Sequence, residues 1–168
     1  MEIFEVMERA FDARFERPAL TFTETEDQEL GRIVRVRGVE PIPLDEVKDA
    51  AKAAVTDLRW RKETAGIAIG GVPVATDDRS KTLILGKRAR ARENPDMTFR
   101  WKTAGGTWVE LTGTQIIAIA DAVADHVQAC FDREGELHDT IDAAETVEVV
   151  LSVDITAGWP DRRDNTPN

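Results

Sequence analysis

The side chains best suited to chemistry are few: His126, Cys130 and His138 are the only imidazoles and the only thiol in the chain. A spacing of four lets His126 and Cys130 share one face of a helix. With His138 they offer at most three soft ligands, all on one helix. A structural zinc wants four, drawn from more than one element. The plainer reading is a helix-edge His126 and a buried Cys130, a common place for a free thiol. Phosphate chemistry is no better served. Gly86-Lys87 lacks a preceding glycine-rich turn, and Gly70-Gly71 leads into a strand pattern rather than a helix. The 32 acidic side chains make chance carboxylate pairs unavoidable, so no glycosidase-type pair is arguable. Lys87-Arg88-Ala89-Arg90-Ala91-Arg92 reads as a solvated helix face. No catalytic residue, cofactor or metal site is expected, and the chain is not expected to be an enzyme.

The composition frames that expectation. The 168 residues are 42% hydrophobic and 32% charged, which suits a globular domain with its own core. No stretch approaches the roughly 18 apolar residues of a membrane span. Met1-Glu2-Ile3-Phe4-Glu5 lacks the basic and apolar regions of a secretory signal. One cysteine excludes an intramolecular disulfide and suits a reducing cytoplasm. The net charge of −10 is uneven, at −5 over residues 1–54, +4 over 55–111 and −9 over 112–168. Such a balance disfavours nucleic acid, whose phosphates the acidic majority repels.

The elements that must position these residues follow from periodicity. Phe4, Met7, Phe11 and Phe15 recur at spacings of three and four, which predicts a helix over 2–16, ended by Pro18. That stripe covers the protein's own core or enters a partner's groove; docking is the expectation adopted here. Ala19–Phe22 reads as a short strand followed by a polar loop to residue 30. Gly31–Val39 alternates in part and reads as an edge strand, since its arginines discourage further pairing. Pro41 and Pro43 stop it. Residues 43–63 carry a helical period that Gly66 ends.

Two hairpin-then-helix units come next. Ile67–Ile69 and Val72–Val74 flank Gly70-Gly71, whose positive φ angles a tight turn needs. Thr76 or Asp77 caps a helix to about Glu93. Thr98–Lys102 and Thr107–Leu111 flank Ala104-Gly105-Gly106, with Trp101 and Trp108 placed near each other across the pair. Thr112 and Gln115 form a capping box for a helix that runs to about Ala144, with Gly135 as a possible break. An unbroken helix of that length spans about 45 Å and favours self-association. Thr146 caps a last short helix, and Trp159-Pro160 suits a clamp that closes the chain end over the core. The expected fold is α+β, with two β-hairpins forming a small antiparallel sheet packed against several helices, one of them long and C-terminal. Its parts are an N-terminal attachment element of helix plus edge strand (1–43), the α+β domain (44–160) and a polar tail (161–168).

The order of motifs carries a resemblance. Val74-Ala75-Thr76-Asp77 precedes a helix, and Phe99-Arg100-Trp101-Lys102 forms a strand. Trp108-Val109-Glu110-Leu111-Thr112 opens the long helix, which contains His126-Val127-Gln128-Ala129-Cys130-Phe131. Ile141-Asp142-Ala143-Ala144 and Ile155-Thr156-Ala157-Gly158-Trp159-Pro160 close the series. Together these span about Arg59 to Pro160. The stretch resembles a domain of unknown function found in phage and prophage tail, tail-fibre and tail-fibre-assembly-associated proteins. The resemblance brings no catalytic residues. It implies a structural virion protein of the tail, baseplate or tail-fibre attachment region. That protein is assembled in the bacterial cytoplasm, with other tail proteins and copies of itself as partners. An assembly chaperone that leaves the particle is the alternative. Thr76, Asp77, Trp101, Trp108, Trp159 and Pro160 are its structural motif positions, and Phe4, Met7, Phe11 and Phe15 the expected docking residues.

Overall fold

Ile3–Met7 is a strand (β1), not the first turns of a helix. This corrects the helix expected over 2–16. Ile-Phe-Glu-Val-Met also satisfies a period of two, and the partner that decides between the periods lies thirty residues away. β1 pairs in parallel with β3 (Arg32–Pro41) in the register Ile3↔Ile33 to Met7↔Arg37. β2 (Glu16–Asp27) pairs antiparallel on the other side of β3, giving the order β1-β3-β2. The polar loop expected before residue 30 is therefore mostly strand. Its Thr-Glu-Thr-Glu run supplies β-branched residues and carboxylates in alternation. β3 is central rather than an edge, because its arginines meet carboxylates on both neighbours: Arg35 Nε reaches Glu24 at 2.7 Å, and Arg37 Nε reaches Glu5 at 2.5 Å.

The computed structural model describes residues 3–160, in two compact units, 3–51 with 144–152 and 52–143 with 153–160. The first unit holds the β1-β3-β2 sheet, the start of α1 (Leu44–Glu63) and α4 (Val147–Ser152), which Thr146 caps by accepting from Val149 N at 3.3 Å. The tail expected over 161–168 lies outside the described residues.

The second unit follows the expected order. β4 (Ile67–Ile69) and β5 (Val72–Val74) turn at Gly70 and Gly71, whose φ angles of 54° and 74° only glycine adopts without strain. Asp77, not Thr76, caps α2 (Asp78–Glu93) by accepting from Ser80 N at 3.1 Å. β6 (Thr98–Lys102) and β7 (Trp108–Thr112) form the second hairpin. α3 (Gly113–Asp142) starts on the complete Thr112–Gln115 capping box and passes Gly135 without a break. The chain is thus α+β. Its two hairpins are separate ladders, bridged where Ala104 N donates to Pro73 O at 3.1 Å. Phe99, Trp101 and Leu111 turn inward from β6 and β7 onto Ile116, Ile119, Ala120 and Val123 of α3, with Ile84 and Ala91 of α2 completing the core. Burying side chains of this size stabilises by about 1.5–3 kcal/mol each, less what their ordering costs.

Candidate functional site

The expected docking residues do not converge. Phe4 and Met7 are three apart on a strand, so they point to opposite faces. Phe11 and Phe15 lie outside the strands, half-buried; Phe15 ends a turn in which its N–H reaches Asp12 O at 2.9 Å. A four-residue stripe does not exist. What the strand register assembles instead is a sorted sheet.

One face of that sheet is ionic. Glu5, Arg35 and Glu24 form one row across the three strands, and Met7, Arg37 and Phe22 the next. Arg35 also lies 4.6 Å over the Phe22 ring. The hydrogen bond from Arg37 holds the Glu5 carboxyl below its ordinary value. The opposite face carries two rows without a charge: Phe4, Val34 and Thr25, then Val6, Val36 and Thr23. Arg32 borders it, 4.6 Å over Phe4. A hollow of about 480 Å³ opens at its end over Thr21, Phe22, Thr23, Val36 and Gly38, with the Glu8 carboxylate at its rim. Phe4 and Val6 are 42% and 45% exposed. Indeed no residue from Ile3 to Glu46 is buried. A sheet stabilises a fold by burying one face against another layer; among the described residues of its own unit, none of this face is buried. Periodicity could not have found it, since it is made by register rather than by sequence spacing.

The motif residues of the second unit are structural. Thr76 is wholly buried, and its hydroxyl donates to Glu63 O at 2.5 Å while accepting from Gly66 N at 2.9 Å. Beside it the Glu63 carboxylate, 5% exposed, bonds Arg59 and Lys81. Arg59 also meets Glu134 at 3.0 Å, and Lys81 meets Asp78 at 2.9 Å. Burial lowers the Lys81 ammonium, but its bonds to Glu63 and Asp78 carry it above its ordinary value. Sequence reasoning missed this cluster, because nothing local distinguishes Glu63 from the solvated acids of a helix.

Trp101 and Trp108 are not a cross-strand pair. Trp101 lies opposite Val109 and Trp108 opposite Lys102, so one is buried and the other 58% exposed. Trp159 donates its indole N–H to Ile155 O at 2.8 Å, closing its own turn, and both Trp159 and Pro160 are half-buried. Arg133 Nε ties that turn to α3 through Ala157 O at 3.1 Å. His126 and Cys130 do share a face, with Sγ 3.8 Å from Nε2. Each histidine Nε2 meets an α1 carbonyl at 3.3 Å, His126 at Lys62 and His138 at Lys52. Burial pushes the Cys130 thiol up to about 11, away from the thiolate that nucleophilic or ligating work requires. Among the described residues no group of three His, Cys, Asp or Glu side chains is placed to hold a metal ion. No helix among them is long and apolar enough to cross a membrane.

The profile of a protein family described as a domain of unknown function (DUF4376) matches residues 46–157, two thirds of the chain. Neither a curated protein nor a solved structure matches.

Proposed function

The chain belongs to the DUF4376 family; from that premise we propose that it is an assembly protein whose N-terminal sheet docks on a partner. The observation that carries this reading is the charge-free face of exposed Phe4 and Val6 beside half-buried Val34 and Val36, on a sheet with no buried residue. Covering such a face is the main source of free energy in association. The ion-paired face behind it stays hydrated and discourages stacking on the wrong side. The setting we propose is a phage tail, baseplate or tail-fibre attachment region, with other tail proteins and copies of the chain as neighbours. Its support is the resemblance of the 59–160 stretch to tail-associated domains. An assembly chaperone built on the same face is the second reading.

Quantitative mass spectrometry of gradient-purified particles tests the setting. A fixed, symmetry-related copy number is expected. Presence in the lysate with absence from particles would leave the chaperone. The docking face is tested separately by Val36→Asp, which is expected to abolish co-purification with the partner while the tryptophan-containing unit unfolds as before. Retained co-purification would remove the sheet from the mechanism.

A further inference from the structure

Between α2 and the β6–β7 hairpin lies an open cleft of about 490 Å³, bordered by Trp101, Trp108, Lys87, Arg100 and Lys102. The Lys87 ammonium stands 5.8 Å from the Trp101 ring centroid and 5.4 Å from that of Phe99. The Arg100 guanidinium is 5.1 Å, and the Lys102 ammonium 5.9 Å, from the Trp108 ring centroid. Among the described residues none of these three cations is ion-paired with a carboxylate. Their neighbours on α2 behave differently: Lys81 is held by Glu63 and Asp78, and Arg88 by Asp121. Aromatic faces therefore position Lys87, Arg100 and Lys102 without neutralising them. Glu110 stands directly opposite Arg100 across the hairpin without forming an ion pair with it, so three cations face one carboxylate, a local positive excess on a chain of net charge −10.

The remaining walls are mixed, with Leu83, Ala75 and Ala104 beside the hydroxyls of Ser80 and Thr103. Trp101 also carries a buried indole N–H with no acceptor among the described residues, a state that native folds seldom leave without a reason. A cleft of this volume, largely apolar with a few convergent polar groups, has the dimensions of a small-ligand site. We propose that the cleft binds a small organic anion in which a phosphate or a carboxylate is joined to a flat ring. Trp108, the exposed indole, receives the ring, and Lys87, Arg100 and Lys102 receive the charge. This site is separate from the N-terminal sheet and holds whether or not that sheet docks.

The test is a ¹H–¹⁵N titration of the full chain, read at its four indole N–H signals. Two probes separate the sources of the anion: adenosine monophosphate for phosphate carried with an aromatic ring, and nicotinate for carboxylate on an aromatic ring. Either probe is expected to move the Trp101 and Trp108 signals and to leave Trp60 and Trp159 in place. Adenosine and inorganic phosphate, each offering half of the chemistry, are expected to bind about tenfold more weakly than the whole. The double variant Arg100→Glu, Lys102→Glu is expected to lose binding while its Trp60 and Trp159 signals report an intact fold. Binding of one probe alone identifies the source and supports the site. Failure of both probes to move the two indoles overturns it, as does binding that survives the charge reversal or does not need the charged group.

Discussion

Replacing Thr76 by valine removes one hydroxyl and almost no volume, which isolates the role of that hydroxyl from packing. The side chain is wholly buried, so the substituted methyl meets the same walls. What changes is the bonding of two backbone groups at the end of α1: the Glu63 carbonyl loses its donor at 2.5 Å, and the Gly66 amide its acceptor at 2.9 Å. A buried polar group left without a partner costs about 1–3 kcal/mol. Gly66 is only half-buried, so water recovers part of its share, and the sum for the two groups is about 2–4 kcal/mol. Urea unfolding followed by tryptophan fluorescence measures it cleanly, because Trp60, Trp101, Trp108 and Trp159 all belong to the second unit. The midpoint should fall with an unchanged slope, since the surface exposed on unfolding is the same. Thr76→Ser keeps the hydroxyl and loses one methyl, at about 1 kcal/mol. The reasoning fails if valine comes within about 0.5 kcal/mol of the parent, or if serine costs as much as valine.

Three further outcomes are expected. Glu63→Ala strands Arg59 and Lys81, but each keeps a second carboxylate, Glu134 and Asp78, so the cost should be about 2–3 kcal/mol by the same unfolding assay, below that of orphaning a buried charge outright. Gly113→Ala should destabilise by about 1–3 kcal/mol in calorimetry, because its Cβ would stand 2.5 Å from the Pro95 carbonyl oxygen and neither backbone can retreat freely. The Cys130 thiol ordinarily titrates at 9.0 and in the fold at about 11, so its neutral form favours the folded state at lower pH. That stability is complete below 9.0 and is lost as pH rises towards about 11; Cys130→Ala should flatten this alkaline decline, and equal slopes for parent and variant would contradict the assignment.

The helices were legible because their signals are local. Asp77 caps α2, Thr112 and Gln115 cap α3, and the apolar stripe from Ile116 to Ile141 lies within one element. The two glycine hairpins were legible for the same reason. The N-terminal strands were not. Phe4 and Met7 fit a helical period as well as a strand within five residues, and only the pairing with Ile33–Arg37 decides between them. Arg35 and Arg37 suggested an edge because their carboxylate partners, Glu24 and Glu5, come from two different segments. The charge-free face is hidden likewise, since Phe4, Val34 and Thr25 become one row only after three segments align. The cleft residues were each in view, but Lys87 reaches Trp101 from another element, and no spacing encodes that approach.

The strand order β1-β3-β2 also sets unequal closure costs for the two pairings. β2 and β3 are joined by the short turn at Gln28–Gly31 and close on each other at small entropic cost. β1 has one neighbour only, and that neighbour is synthesised last of the three. The side-chain pattern that suits a strand beside β3 is set by Val34 and Val36, which stand opposite Phe4 and Val6. Any extended segment that alternates apolar and charged residues in the manner of Phe4-Glu5-Val6 fits that pattern. An untethered strand of that pattern would have to exceed the local concentration that the tether gives β1.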